Sequence, residues 1–166
     1  VLFTCMVGLL ISPTEISFTN SIISLLAVAI GSGAAGALNM WYESDLDAIM
    51  SRTCLRPIPT GKVKKNQALY FGIILSVVST ILLYYYSNLL SSLLLLFTIS
   101  FYFFIYTIWL KRKTPQNIVI GGASGALPPV IGWAIATNSI SLESIAFFLI
   151  IFFWTPSHFW ALSLYK

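Results

Sequence analysis

Apolar residues are arranged along this chain in long runs that short polar segments separate. Five runs approach the roughly 20 residues that a helix needs to cross a bilayer, and a shorter run precedes them. The runs are Val1–Ser12, Ser21–Leu38, Gln67–Tyr86, Leu89–Leu110, Asn117–Thr137 and Leu142–Tyr165. Runs of this length are typical of membrane-spanning helices. We therefore expect an all-α integral membrane bundle of about six transmembrane helices, the first of them truncated.

Composition supports the same prediction. Hydrophobic residues make up 58% of the 166 residues and charged residues 8%, whereas a water-soluble domain carries roughly 25% charged residues. The chain begins at Val1 inside one apolar run and ends at Lys166 directly after another. We expect residues 1–166 to form a single membrane domain, embedded in the lipid bilayer and cut at both ends.

The basic residues predict the orientation of the bundle. If the runs cross alternately, every Lys and Arg falls on one side of the membrane: Arg52, Arg56, Lys62, Lys64, Lys65, Lys111, Arg112, Lys113 and Lys166. Basic loops mark the cytoplasmic side. We expect that side to face the cytoplasm of a bacterium with the protein in the inner (cell) membrane, the mitochondrial inner membrane being the alternative. The net charge of +4 is then a topology signal, and it does not indicate nucleic-acid binding.

Three of the five carboxylates lie in one stretch, NMWYESDLDAIMSRT, which follows the second run. Asn39, Glu43 and Asp47 are spaced by four, so they share one stripe, about 80° wide, of a continuing helix. No basic residue lies between them to offset their repulsion. Mg²⁺ takes such hard oxygen ligands and leaves positions for phosphate oxygens. The pattern predicts a metal and diphosphate site, and a solvated helix end is the alternative.

Basic residues beside this stretch fit the same chemistry. Arg52 and Arg56 follow the acidic residues closely. Guanidinium groups bind phosphate oxygens through paired hydrogen bonds. The alternative is that they only mark the cytoplasmic side.

Two glycine-rich segments predict packing. GSGAAG (Gly31–Gly36) matches a dinucleotide-binding pattern formally, but it lies within a membrane-length run, where small residues let helices approach closely. We expect close packing through Ala29, Ser32, Gly33 and Gly36. In GGASGALPP we expect another packing face at Gly121 and Gly125, and a break at Pro128–Pro129. That break is interpreted either as a packing kink or as the lining of a substrate site.

The acidic stretch resembles the first aspartate-rich motif, N-x-x-x-D-x-x-x-D, of the UbiA family of intramembrane prenyltransferases. Glu43 stands where that family most often has Asp. Three separated segments are similar to the branch of the family that farnesylates haem: NMWY…DLDAIMSRT…RPIPTGKV, YTIWLKRKTPQNIVIGGASGALPPVIGWA and FFWTPSHFWALSLYK. Ser44 departs from that branch, which commonly has Arg there.

This resemblance implies a nine-helix bundle, of which the chain would hold the N-terminal two-thirds. It implies transfer of a farnesyl group from farnesyl diphosphate to a vinyl group of haem B, giving haem O. The catalytic residues Asn39, Glu43 and Asp47 would hold Mg²⁺ against the diphosphate. Arg52, Arg56 and Lys111 would neutralise the departing diphosphate. A Tyr-x-x-x-Lys pattern of the wider family is one residue longer here, from Tyr106 to Lys111.

His158 is the only histidine and lies within a membrane-length run. An ionisable residue in such a run is a functional candidate. With the resemblance, we expect it to contact haem; the alternative is a hydrogen bond to a carbonyl that Pro156 frees.

Two other functions remain open at this point. One is a prenyltransferase of the same family for an aromatic acceptor such as 4-hydroxybenzoate. The other is a transporter segment, which would place polar groups near the bilayer midplane. The acidic residues at the basic end of the helices favour the enzyme.

Overall fold

The computed structural model describes residues 1–111, 113–114 and 116–164, and within them the chain is a helical bundle. Its α-helices are α1 (Leu2–Ile11), α2 (Phe18–Tyr42), α3 (Ser44–Ile49), α4 (Lys65–Tyr86), α5 (Leu89–Ser100), α6 (Asn117–Ala126), α7 (Pro128–Thr137) and α8 (Leu142–Ser163). A π-helical segment, Phe101–Leu110, continues α5 directly. Within the described residues, five stretches are long and apolar enough to cross a membrane, and α1 is a shorter apolar helix. The predicted fold class is confirmed. Arg112 and Lys166, used to predict the orientation, lie outside the described residues.

The short helix α1 is held against α7 by direct backbone contact. A Cβ added at Gly8 would collide with the carbonyl of Pro129, and one added at Gly132 would collide with the carbonyl of Cys5. Small residues permit this approach between apolar helices. Glycine on each helix therefore anchors α1 in the bundle.

The glycine contacts that the sequence predicts are only partly correct. Gly121 lies under the ring of Tyr106, as predicted, and Gly31, which was not predicted to pack, lies against Leu95, with 3.0 Å between an added Cβ and Leu95 Cδ1. By contrast, a Cβ at Gly33, Gly36 or Gly125 would have no neighbour within 4 Å among the described residues. The prediction of close packing at those three positions is wrong. Spacing by four identifies a helix face, but it does not identify which face turns toward a neighbour.

The break predicted at the prolines is present. Leu127 separates α6 from α7, and Pro128 occupies the first turn of α7, where its missing N–H costs nothing. Pro129 packs against Gly8 of α1. Ser124, Gly125 and Pro128 line a mainly apolar cavity of about 270 Å³ that residues of α2 and α5 also line. The bend is therefore both a packing kink and part of a cavity wall.

One end of the bundle is held by neutral hydrogen bonds between the α4–α5 turn and the end of α7. Asn88 Nδ2 donates to the carbonyls of Ala134 (2.7 Å) and Ile135 (3.2 Å). Ser87 Oγ also donates to Ile135, at 3.1 Å. Asn88 Oδ1 accepts from the N–H of Ser91 at 2.8 Å and so caps α5. The carbonyl of Ile135 near the end of α7 is thus paired, and the carbonyl of Ala134 gains a second donor beside the N–H of Asn138.

Candidate active site at the charged end of the bundle

The predicted acidic stripe lies where α2 ends. Glu43, with φ −92° and ψ 8°, terminates α2 and precedes α3, so the helix does not continue regularly as the sequence analysis assumed. The three side chains nevertheless point inward: Asn39 is 7% exposed, and Glu43 and Asp47 are each 3% exposed. Burying two carboxylates is costly unless each has a charged partner. The structure supplies both partners.

Lys111 neutralises Glu43. Its Nζ donates to Glu43 Oε2 at 2.6 Å, and the other carboxylate oxygen, Oε1, is buried with no hydrogen-bond partner among the described residues. Lys111 follows the π-helical segment, where its N–H donates to the carbonyl of Tyr106, five residues earlier, at 3.0 Å. In a π-helix the backbone hydrogen bond joins residues five apart. The extra residue between Tyr106 and Lys111 is accommodated in this way, and Lys111 Nζ lies 5.8 Å from the centroid of the Tyr106 ring.

Arg56 neutralises Asp47. A single guanidinium nitrogen donates to both carboxylate oxygens, at 3.0 and 2.9 Å. The buried Thr53 hydroxyl donates to the backbone carbonyl of Asp47 at 3.1 Å and holds the loop that carries the arginine. Arg56 is therefore placed beside the acidic cluster, as predicted, but it binds a carboxylate there.

Asn39 is held by a residue that the sequence analysis did not consider. Its Nδ2 donates to the hydroxyl of Thr107 at 3.3 Å, and that hydroxyl donates to the carbonyl of Tyr102 at 3.0 Å. The available sequence signal was a hydroxyl residue within an apolar run, four positions before Lys111. Tyr102 lines the apolar cavity, and its carbonyl is bonded to Thr107, the partner of Asn39, so the cavity lies next to the charged cluster.

Five of the seven predicted site residues come together: Asn39, Glu43, Asp47, Arg56 and Lys111. The other two lie elsewhere on the surface of the described chain. Arg52 is exposed in the loop after α3. His158 is exposed on α8, where its ring stacks on Trp154 with centroids 4.4 Å apart and planes 12° apart.

The donor atoms of the cluster fit a hard divalent cation in type. Two carboxylates and one amide offer oxygen ligands, and the unpaired Oε1 of Glu43 is a buried acceptor that a cation would satisfy. The positive charge that the sequence analysis assigned to Mg²⁺ is, however, present as Lys111 and Arg56. Within the described ranges, no three His, Cys, Asp or Glu side chains form a group that could hold a metal ion.

These features define a class of protein. Membrane-length helices line an apolar cavity, and buried carboxylates paired with partly exposed cations lie beside it at one end of the bundle. The chain is an integral membrane protein with a charged site next to an apolar one.

The family follows from comparison with known sequences. The sequence model of the UbiA prenyltransferase family matches residues 1–166, and the chain belongs to that family. No solved structure matches the chain.

Several curated relatives are similar along the whole chain. It is 74% identical over 166 residues to protoheme IX farnesyltransferase of Pelagibacter ubique. It is 59% identical to protoheme IX farnesyltransferase 2 of Mesorhizobium japonicum and 57% identical to protoheme IX farnesyltransferase of Rhizobium etli, again over 166 residues. These alignments include 100% of this chain but 55%, 53% and 52% of the relatives. The chain therefore spans about half the length of the curated relatives it matches.

Proposed function

We propose that the protein transfers a farnesyl group from farnesyl diphosphate to a vinyl group of haem B, giving haem O. The observation that carries this proposal is the 57–74% identity, along the whole chain, to relatives named protoheme IX farnesyltransferase. The site supports it, because a charged cluster beside an apolar cavity suits a substrate with a diphosphate head and a hydrocarbon tail.

The two cations, Arg56 and Lys111, would leave their carboxylate partners and bind the diphosphate when the substrate binds. The Arg56 and Lys111 side chains are 36% and 34% exposed, whereas the carboxylates they bind are almost completely buried. A diphosphate carries about three negative charges near neutral pH, since the second pKa of a phosphate lies near 6. Arg56 and Lys111, with Arg52 from the loop, would turn toward it. They would neutralise the charge that develops as the allylic C–O bond breaks.

The carboxylates released by that exchange need a new positive partner. Asn39, Glu43 and Asp47 would hold Mg²⁺, which supplies Lewis-acid neutralisation of the diphosphate when bound. The protein's part is to place three oxygen donors and two cations within one buried cluster. The adjoining apolar cavity would exclude water until the haem vinyl group attacks the farnesyl carbon, after which water adds to complete the hydroxyethylfarnesyl group.

His158 is proposed to contact haem. Its imidazole is exposed on α8 and stacked on Trp154, so it forms a flat aromatic surface that a porphyrin can reach. We further propose that residues 1–166 are one membrane domain of a longer bundle in a bacterial cell membrane, whose added helices cover this face of α8. The clustering of basic residues at the charged end supports a cytoplasmic orientation for that end.

The test uses the full-length protein in membranes from cells that lack haem O. Haem B, farnesyl diphosphate and Mg²⁺ are added together, and haem products are identified by absorption spectroscopy and mass spectrometry. We expect haem O only when both substrates are present. Prenylation of 4-hydroxybenzoate without haem O would show that the acceptor is wrong. Absence of diphosphate release with any acceptor would show that the protein is not a prenyltransferase.

A further inference from the structure

Thr107 links the acidic stripe to the π-helical segment. It is completely buried, and its hydroxyl contacts both the Asn39 amide on α2 and the carbonyl of Tyr102 on its own segment. In a membrane protein, a buried hydroxyl that joins two helices is a specific contact, because lipid offers it no alternative partner. Thr107 has no part in the chemistry proposed above.

The two hydrogen bonds determine which way the Asn39 amide faces. A threonine hydroxyl has one proton to donate. A carbonyl can only accept, so that proton is directed to the Tyr102 oxygen, at 3.0 Å. The hydroxyl must then accept from Asn39, and only the amide nitrogen can donate. The amide oxygen, which is the atom that a hard cation requires, is consequently directed away from Thr107.

The π-helical segment and the residue that follows it place two side chains, Thr107 and Lys111, against the acidic stripe. Asn39 and Glu43 are four residues apart at the end of α2, and their partners Thr107 and Lys111 are also four residues apart. Long π-helices are rare, and π-helical turns occur frequently at functional sites. One segment thus orients the amide and neutralises the carboxylate.

We propose that Thr107 is a positioning residue that holds the Asn39 amide oxygen toward the Mg²⁺–diphosphate site. This inference rests on the proposed function, because it assigns the orientation of a residue within that site. It predicts that the hydroxyl of Thr107 affects metal affinity through Asn39 and not through the stability of the bundle.

The experiment measures Mn²⁺ binding, as a paramagnetic substitute for Mg²⁺, to the full-length protein in nanodiscs with inorganic diphosphate present. Free Mn²⁺ is followed by electron paramagnetic resonance. We expect Thr107→Val to raise the Kd for Mn²⁺ about tenfold, as loss of a residue that orients a metal ligand typically does. Thr107→Ser keeps the hydroxyl and should stay within about threefold of the wild-type Kd.

Two further variants separate positioning from folding. Among the described residues, the hydroxyl of Thr80 bonds only to the Ser76 carbonyl of its own helix, so Thr80→Val should leave the Kd unchanged. Combining Thr107→Val with Asn39→Ala should weaken binding no more than Asn39→Ala alone, since Thr107 acts through Asn39. Thr107→Ala replaces Thr107→Val if circular dichroism shows that the valine variant is unfolded.

The outcomes are distinguishable. A wild-type Kd in the folded Thr107→Val or Thr107→Ala variant, or an additive effect in the double variant, overturns the positioning role and leaves the proposed function intact. Failure of the wild-type protein itself to bind Mn²⁺ with diphosphate overturns the metal role of Asn39 in the proposed function, and this inference with it.

Discussion

At one end of the bundle, Ser87 and Asn88 pair the last carbonyls of α7 through neutral hydrogen bonds. At the other end, Glu43 and Asp47 are buried against Lys111 and Arg56. The first arrangement pairs the carbonyl of Ile135 and gives the carbonyl of Ala134 a second donor beside the N–H of Asn138. The second brings four charges together and still leaves one carboxylate oxygen of Glu43 without a hydrogen bond among the described residues.

This difference distinguishes a structural end from a functional one. A neutral side chain bonded to a helix end contributes about 1 kcal/mol of stability per bond. A buried ion pair is weak evidence for stability, because desolvation of the charges offsets their attraction. Stability therefore explains the neutral end, whereas the ion pairs of the charged end are better explained by a function. Four variants test this contrast.

Asp47→Asn should give the largest effect. The substitution keeps the shape of the side chain and removes a charge from the proposed metal site, so we expect haem O formation to fall about 10²–10³-fold. Membrane insertion and helix content should be unchanged, since Arg56 is partly exposed and water can solvate it. Product formation per amount of purified full-length protein is the measurement. Glu15→Gln, at an exposed position in the loop between α1 and α2, is the control and should lower activity less than about threefold. Equal losses of haem O formation in both variants would show that Asp47 has no special role in the proposed site.

Lys111→Met should lower stability as well as activity. It leaves the buried Glu43 carboxylate without its cation, which we expect to cost about 2 kcal/mol in the free energy of unfolding, measured by reversible unfolding in mixed micelles. Adding Glu43→Gln removes the unpaired charge and should restore most of that stability without restoring haem O formation. Recovery of activity in the double variant would indicate that the pair is structural, like the neutral end.

Asn88→Ala should lower stability and leave activity unchanged. It removes the cap of α5 and two hydrogen bonds to α7, so the free energy of unfolding should fall by about 1–2 kcal/mol. Haem O formation per folded molecule should remain at the wild-type level, because the substitution lies at the end away from the charged cluster. Asn66→Ala, at an exposed position of α4, serves as the control for stability. A turnover defect in folded Asn88→Ala would show that the neutral end also affects catalysis.

His158→Ala should have the smallest effect. The side chain is exposed and stacked on Trp154, so its loss should hardly change stability. If it contacts haem, the KM for haem B should rise about three- to tenfold while the KM for farnesyl diphosphate stays the same. Ser157→Ala, the exposed preceding residue, is the control. An unchanged KM for haem B would leave His158 outside the proposed site.

The membrane class, the helix spans and the proline break could all be predicted from the amino-acid sequence. These features depend on hydropathy over about 20 residues and on the missing N–H of proline, both of which are local properties. The clustering of carboxylates at one helix end was equally visible, because Asn39, Glu43 and Asp47 lie close together in the chain.

Which groups these residues contact depends on the tertiary structure. Lys111 lies 68 positions from Glu43 in the chain, and Thr107 lies 68 positions from Asn39, so no local pattern pairs them. Their pairing depends on how α2 and the π-helical segment are rotated about their axes and on the break at Glu43. The same rotation decides that Gly31 packs tightly while Gly33 and Gly36 face open space. Hydropathy is nearly uniform around these helices, so the sequence indicates that they cross the membrane but not which face of each helix turns inward.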